Sequence, residues 1–99
     1  MALTINKSGS ESVTVSLIGR LDTTTAPQLE KELDEILASA KELVFDFAGL
    51  EYISSAGLRI LLKSQKAMNK QGSMKLKNVS DDIKEIFEIT GFLDFLTIE

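Results

Sequence analysis

Two adjacent hydroxyl side chains, Ser54 and Ser55, have the type and position from which chemistry can be inferred. They follow an apolar segment and precede a periodic apolar run, and a Ser at such a junction predicts a helix N-cap, here assigned to Ser55. The neighbouring Ala56 and Gly57 leave the helix start sterically open, so that a partner can approach closely. The N-terminal end of a helix also favours negative charge. The stretch therefore predicts either a simple cap or a site at which Ser55 carries a phosphate.

The composition excludes most catalytic chemistry. The chain has no His, which rules out Ser-His-Asp hydrolysis and the usual zinc and iron sites, and no Cys, which rules out thiolate nucleophiles and disulfides. A Ser-Lys pair and a site made only of carboxylates remain in principle, but Lys63 lies two helical turns after Ser55 in the predicted helix. We therefore expect no enzyme activity, no metal and no cofactor.

The charge balance argues against nucleic acid as a direct partner. A formal net charge of -4 leaves no basic excess to neutralise the phosphates of nucleic acid or of an anionic membrane. No apolar stretch approaches the ~20 residues that a membrane span needs, and residues 1–6 lack the basic and apolar regions of a signal peptide. We expect a cytoplasmic protein without a membrane span, and the absence of Cys suits a reducing compartment.

Hydrophobic periodicity predicts an α/β fold in one domain, 1–99. Apolar segments predict strands at 3–6, 12–19, 42–47, 73–79 and within 92–98. Apolar stripes predict a first helix at about 26–40, a second that follows Ser55 and ends near Gly72, and a third that follows Ser80 and ends at Gly91. Thr25 and Gln28 match a capping box at the first helix, with Pro27 in its first turn. The strand at 42–47 alternates little, so we expect it to be covered on both faces. The order β-β-α-β-α-β-α-β indicates a mixed sheet of four to five strands with crossover helices.

Three further polar residues are candidates for the same site. Asp22 lies in a polar connection, where it is either a turn or cap residue or a polar contact beside Ser55. Asp46 interrupts an apolar strand, and because burying an unpaired carboxylate is costly, we expect it to shape the loop that carries Ser55. Arg59 follows Ser55 by four residues, a helical spacing from which it could hydrogen-bond a phosphate on Ser55.

Four short motifs carry a resemblance to a known family. They are Gly-Arg-Leu-Asp at 19–22, Leu-Val-Phe-Asp-Phe at 43–47, Tyr-Ile-Ser-Ser-Ala-Gly-Leu at 52–58 and Thr-Gly-Phe at 90–92. Their order and spacing resemble the STAS domain, specifically the bacterial anti-sigma factor antagonists, over nearly the whole chain. The usual Asp-Ser-Ser/Thr-Gly pattern of that family falls on residues 54–57, with Ser54 replacing Asp and Ala56 replacing the second hydroxyl. The additional C-terminal helix of many relatives is absent before Glu99, so we expect one sheet face to be less covered or completed by a partner.

The resemblance implies a regulatory function. In this family, a serine kinase that is also the anti-sigma factor phosphorylates a Ser at the start of the second main helix. The unmodified protein binds that kinase and frees the sigma factor, and a serine phosphatase resets the switch. Carried over to this sequence, the resemblance implies phosphorylation at Ser55, with Ser54 as the weaker candidate, and an anti-sigma factor kinase and a phosphatase as partners. The implied contact surface comprises Asp22, Thr23, Ser54, Ser55, Gly57 and Leu58.

Two other classes of function stay open at the level of sequence. STAS-like domains also occur attached to anion transporters and in lipid-transport complexes, so the chain could be a binding module of such a complex. The lack of a membrane segment argues against the transporter more than against the lipid-transport complex. An enzyme that uses Ser55 as its nucleophile would need a Lys neighbour that the sequence does not predict.

Overall fold

Four strands form one mixed sheet in the computed structural model of the protein, which describes residues 3–99. Met1 and Ala2 belong to the predicted domain and to the segment searched for a signal peptide, and they lie outside the described residues. The strands are β1 (Leu3–Ser8), β2 (Ser12–Leu21), β3 (Glu42–Ile53) and β4 (Ser73–Lys77), in the spatial order β1-β2-β3-β4. β1 pairs antiparallel with β2, whereas β2 with β3 and β3 with β4 pair parallel. The predicted α/β fold with a mixed sheet is confirmed.

Three helices occupy the connections and the segment after β4. They are α1 (Ala26–Leu37), α2 (Ser55–Gln71) and α3 (Asp81–Thr90), and a 3₁₀ helix follows at Phe92–Asp94. Because parallel neighbours need crossover connections, α1 joins β2 to β3 and α2 joins β3 to β4. The predicted ends of α2 and α3 at Gly72 and Gly91 are confirmed, and Gly91 adopts the left-handed conformation (φ 80°) that favours glycine.

The predicted last strand is wrong except at one residue. Residues 92–94 form the 3₁₀ helix, and only Ile98 makes a parallel bridge, to Leu76 of β4. The turn at Gly91 folds the chain back, so that Leu96 is buried while its N–H donates to the Phe92 carbonyl oxygen at 3.0 Å. Because the Leu96 N–H is used in this turn, the segment before Ile98 does not pair with β4 as a strand, and one bridged position remains.

The core lies on one face of the sheet. Leu43, Phe45 and Phe47 of β3 are buried, and the residues between them, Val44 and Asp46, are half-buried. The expectation that this strand is covered on both faces is thus wrong. Its residues alternate in burial, although the apolar Val44 hides that alternation in the sequence. Buried residues of all three helices join the same apolar cluster as the strands.

The start of α1 differs from the predicted capping box. Thr25 is the N-cap and Pro27 lies in the first turn as expected, but the Thr25 side chain makes no capping bond. Its hydroxyl instead donates to the Arg20 carbonyl oxygen at 2.8 Å and accepts from the Asp22 N–H at 2.9 Å. The Gln28 side-chain amide donates to the Leu3 carbonyl oxygen at 3.1 Å, on β1. These side chains therefore connect α1 to the ends of β1 and β2 rather than cap the helix.

Candidate functional site

The parallel pairing of β2 and β3 brings two polar turns together. Leu21 and Ile53, the last residues of these strands, are paired, and the Ser54 N–H donates to the Leu21 carbonyl oxygen at 2.9 Å. The next residue along each chain segment is Asp22 on one side and Ser54 on the other. Polar residues that follow neighbouring parallel strands share one edge of the sheet, which is where α/β proteins place binding sites. We call the surface formed by Asp22, Thr23, Ser54 and Ser55 the Ser55 site.

The two adjacent hydroxyls of the Ser55 site have opposite environments. Ser54, not Ser55, is the N-cap of α2, with φ −98° and ψ 176°, and its carbonyl oxygen accepts from the Leu58 N–H at 2.9 Å. The Ser54 Oγ is buried and has no hydrogen-bond partner within residues 3–99, nor does it cap the helix. Ser55 is the first helical residue and is exposed to solvent. The prediction that Ser55 is the N-cap is therefore wrong by one residue, and only the Ser55 hydroxyl is accessible.

Gly57 and Leu58 lie beneath the surface rather than on it. Leu58 is 6% exposed, and Gly57 is buried against the ends of the two strands. A Cβ at Gly57 would lie 2.7 Å from Leu21 Cγ and 2.8 Å from Ile53 Cγ1, distances too short for carbon atoms. Both residues are buried in the unbound chain, so their role as contact residues for a partner stays a prediction that this burial disfavours. Gly57 instead allows the first turn of α2 to pack directly on the ends of β2 and β3.

Asp22 organises the turn that faces Ser54. Its Oδ1 accepts from the Thr24 hydroxyl at 2.7 Å and from the N–H groups of Thr24 and Thr25 at 3.0 and 3.1 Å. These hydrogen bonds, the Thr24 hydroxyl first, hold the pKa of Asp22 below its ordinary value against an opposing desolvation effect. Asp22 therefore has the turn role that the sequence allowed, in a position next to the Ser55 site. Thr23, between the bonded residues, is exposed.

Asp46 contributes to a different part of the molecule than predicted. It lies within β3 rather than before a loop, since β3 continues to Ile53. Its Oδ1 accepts from the Asn78 side-chain amide and from the Ala48 N–H, both at 3.0 Å, and these two bonds lower the pKa of Asp46. The carboxylate thus fixes the turn after β4, where Asn78 has a positive φ of 57°. None of its hydrogen bonds within residues 3–99 reaches the turn that carries Ser55.

One contact beside the site was not predicted from the sequence. The Arg20 guanidinium lies over the Tyr52 ring, 4.4 Å from its centroid, and Arg20 Nε is 3.8 Å from Asp22 Oδ2. Arg20 and Tyr52 are paired across β2 and β3, one position before the buried pair Leu21 and Ile53. The sequence did contain a signal for this contact, because Arg20 and Tyr52 each stand one residue before the end of their strand. The stacked pair adds an exposed cation and an aromatic ring at the rim of the Ser55 site.

A groove between α1 and α2 opens next to the Ser55 site. This α1–α2 groove has a volume of about 270 Å³ and is lined by Thr23, Ala26, Pro27, Glu30, Ala56, Arg59, Ile60 and Lys63. Arg59 is exposed, and its position one turn after Ser55 places it on the groove wall. Lys63 is in ion pairs with Glu30 and Asp34 of α1, at 3.4 and 3.7 Å.

The described residues also bear on metal binding and membrane crossing. Within residues 3–99, no group of three or more acidic side chains is arranged so that it could hold a metal ion. The same residues include no helix of the length and apolar character that a bilayer crossing requires. The Ser55 site provides an exposed hydroxyl at a helix start and a fixed acidic turn, and the neighbouring α1–α2 groove adds a cation.

Comparison with known proteins relates the chain to one family. The profile of the STAS domain matches residues 4–99. A protein of Bordetella bronchiseptica that is named as an anti-sigma factor antagonist, BtrV, is 35% identical over 100 residues, covering 99% of this chain and 85% of BtrV. The anti-sigma-B factor antagonist of Bacillus subtilis is 30% identical, covering 93% of this chain and 85% of that protein. These names describe regulatory proteins rather than enzymes.

Solved structures show the same fold. An anti-sigma factor antagonist from Mycobacterium paratuberculosis superposes with a TM-score of 0.87 at 24% identity, covering 97% of this chain and 84% of that chain. At this identity, the likeness bears on the fold alone. The profile match over residues 4–99 and the curated relatives identify the chain as a member of the STAS domain family, among relatives that are anti-sigma factor antagonists.

Proposed function

We propose that this chain is a phosphorylation-controlled anti-sigma factor antagonist. In its unmodified form it binds an anti-sigma factor that is also a serine kinase, and a sigma factor is thereby released. Phosphorylation of Ser55 by that kinase weakens the complex, a serine phosphatase restores the unmodified form, and the cycle takes place in the cytoplasm. The observation that carries the proposal is the contrast between the exposed Ser55 hydroxyl and the buried Ser54 Oγ at the start of α2.

Accessibility favours Ser55 over Ser54 as the phosphate acceptor. A kinase must bring the acceptor oxygen in line with the transferred phosphoryl group, which requires an exposed hydroxyl. Ser54 Oγ has no such exposure, and its residue is held at the N-cap by the 2.9 Å bond from the Ser54 N–H to Leu21. Modification of Ser54 would first require the start of α2 to open. Ser55 can be modified with the helix intact.

A phosphate on Ser55 acts on binding rather than on the fold. It adds about -1.5 to -2 charges at neutral pH, and the first turn of a helix tolerates negative charge. The surface that a partner would contact includes Asp22, which is half-buried, and Thr23 and Ser55, which are exposed. Gly57 and Leu58 support this surface from below. Added bulk and charge in that surface oppose a partner that fits the bare hydroxyl. Arg59, exposed one turn later, is the residue we propose to contact the phosphate.

Site-mapping mass spectrometry of the protein from its native cells tests the acceptor. We expect a single phosphate on Ser55 that is lost in Ser55→Ala and retained in Ser54→Ala. The two variants are matched, since each removes one of two neighbouring hydroxyls. A phosphate that persists in Ser55→Ala and disappears in Ser54→Ala would refute the assignment. The absence of phosphate under growth, starvation and stress would refute the switch itself.

Binding measurements test the consequence of the charge. Purified anti-sigma factors from the source organism are titrated against the unmodified chain, Ser55→Ala and Ser55→Asp. We expect the first two to bind similarly and Ser55→Asp to bind at least about tenfold more weakly, since a charge facing an interface built for a neutral hydroxyl costs more than about 1.4 kcal/mol. Equal affinities for Ser55→Ala and Ser55→Asp would contradict the proposed control by charge.

A further inference from the structure

The α1–α2 groove has an apolar floor next to the Ser55 site. Ala26 and Ile60, which line it from opposite helices, are 4% and 7% exposed, and Pro27 and Ala56 complete its apolar surface. Its volume of about 270 Å³ lies below the range of about 300–1,000 Å³ typical of small-molecule sites. A groove of this size, open to solvent and bounded by two helices, suits a side chain of a protein partner better than a cofactor.

The charges around the groove are unequally compensated. Lys63 and Glu30, on its two walls, neutralise each other through the 3.4 Å ion pair, and Asp34 adds a second carboxylate to Lys63. No ion pair within residues 3–99 includes Arg59, the other cation of the groove. Within the described chain, Arg59 thus presents an unpaired charge beside an apolar surface, whereas unpaired lysines such as Lys66 lie outside the groove. The rim near Ser55 therefore attracts an anionic group.

We propose that the α1–α2 groove receives an apolar side chain of the anti-sigma factor that is flanked by a carboxylate, and that Arg59 pairs with this carboxylate. The inference rests on the proposed function and specifies the chemistry of the partner at that surface. The apolar floor of the groove would bury the partner's apolar side chain, and the unpaired Arg59 guanidinium would bind the carboxylate next to that side chain. Arg is also among the residues that most often dominate interface energetics.

The position of Arg59 links this contact to the state of Ser55. The two residues are four apart on α2, so a phosphate on Ser55 and a carboxylate of the partner compete for one guanidinium. A phosphate carries more charge than a carboxylate and is tethered to the same helix, which favours the phosphate in that competition. Phosphorylation thus removes the cation that the groove offers to the partner, in addition to adding charge to the interface.

Arg59→Gln separates this contact from general electrostatics. The change removes one charge from an exposed side chain, so we expect the fold to be retained, and Lys66→Gln is the matched control on the same exposed side of α2 outside the groove. Affinity for the anti-sigma factor is measured by titration calorimetry across a range of salt concentrations. At low salt we expect Arg59→Gln to bind about tenfold more weakly and Lys66→Gln to change affinity by less than about twofold.

Salt dependence tests both parts of the proposed occupant. At about 1 M salt the screening length falls to ~3 Å, so wild type and Arg59→Gln should converge while measurable binding through the apolar groove remains. Loss of all binding of the wild type at high salt would overturn the apolar part. Equal affinities of wild type and Arg59→Gln at low salt would overturn the role of Arg59 alone. Failure of the unmodified wild type to bind any anti-sigma factor would overturn the proposed function, and the inference with it.

Discussion

Gly57→Ala should destabilise the chain although alanine favours helices. The added Cβ would lie 2.7 and 2.9 Å from Leu21 Cγ and Cδ2 and 2.8 Å from Ile53 Cγ1. Leu21 is fully buried and Ile53 is 2% exposed, so neither side chain can swing into solvent. The shortest contact involves the branch point of Leu21, which moves only if the whole side chain changes its rotamer. The substitution therefore forces either an off-rotamer Leu21 or a shift of the first turn of α2.

The magnitude follows from two opposing effects. Replacing Gly by Ala inside a helix stabilises it by about 1 kcal/mol, and overpacking a filled core costs about 1–3 kcal/mol. Because three contacts at Gly57 fall below 3.0 Å, we expect overpacking to win, with a net loss of about 1–2 kcal/mol in the free energy of unfolding. Gly57→Val adds two more methyl groups and should cost more than about 3 kcal/mol. A binding defect of Gly57→Val would then reflect the fold, not a lost contact.

A double-mutant cycle with Leu21→Ala is the decisive assay. Leu21→Ala alone should cost about 2–5 kcal/mol because it leaves a cavity, and it removes two of the three short contacts of the new Cβ. Adding Gly57→Ala in that background should therefore be neutral or stabilising, with a favourable coupling of at least about 1 kcal/mol. Urea unfolding followed by circular dichroism gives each free energy, with the midpoint compared at constant slope.

Two results would refute this reasoning. One is a Gly57→Ala protein that gains the full helix-propensity stabilisation, which would mean that the first turn of α2 accommodates the methyl group freely. The other is additivity of Gly57→Ala and Leu21→Ala, which would mean that the two side chains do not compete for the same space. Either would remove the argument that Gly57 is needed for packing and would return it to the list of possible contact residues.

Three further predictions concern the caps and the charges. Ser54→Ala should change the free energy of unfolding by less than about 0.5 kcal/mol, because the buried Ser54 Oγ makes no hydrogen bond to the part of the chain that the structure describes. Ser80→Ala should cost about 1 kcal/mol, since Ser80 Oγ accepts from the Ile83 N–H at 3.3 Å. Asp22→Asn should lose less of its free energy of unfolding than wild type does on acidification. The folded pKa of Asp22 lies below its ordinary value of 3.8, so the ionised Asp22 contributes its full stabilisation above pH 3.8 and loses it as the pH falls through the folded pKa. Ser55→Asp should leave stability at neutral pH within about 0.5 kcal/mol of wild type or raise it, because a negative charge in the first turn is favourable.

Urea unfolding checks all three, at neutral pH for the serine variants and down to about pH 2 for Asp22→Asn. Asp94→Asn, which removes an exposed carboxylate at another place, controls for the change in net charge. A cost above about 1 kcal/mol for Ser54→Ala would imply a hydrogen bond of its hydroxyl that contradicts the geometry at the N-cap. An acid profile of Asp22→Asn parallel to that of wild type would contradict the turn role of Asp22. A strong destabilisation by Ser55→Asp would assign the effect of the charge to the fold rather than to binding.

The order of elements was predictable because periodicity is a local signal. Alternation in β2 and the apolar stripes of the helices depend only on neighbouring residues, and glycines at the ends of α2 and α3 mark those ends. The cap of α3 by Ser80 was also predictable, because it is followed by Asp81 and Asp82 and has no competing hydroxyl beside it. At α2, two adjacent serines offer equivalent caps, and the local sequence does not distinguish them.

Features that depend on residues distant in sequence were not predictable. The assignment of Ser54 as the cap follows from its N–H bond to Leu21, and the burial of Gly57 follows from the approach of Leu21 and Ile53. Asp46 was expected at the Ser55 turn because it precedes that turn in the sequence, but its partner Asn78 lies 32 residues later. The pairing of strands, which is non-local, decides each of these positions.

The Ser55 site combines a rigid base with an accessible hydroxyl, and this combination determines how a switch at Ser55 can work. Gly57 and the bond from Ser54 to Leu21 fix the first turn of α2 on the strand ends, so a charge at Ser55 meets a backbone that has little freedom to rearrange. A modification on a fixed element changes the surface in place, without an order-disorder transition. The effect of a phosphate must then appear in the affinity for a partner, through Ser55 itself and through the neighbouring Arg59, rather than in the stability of the chain.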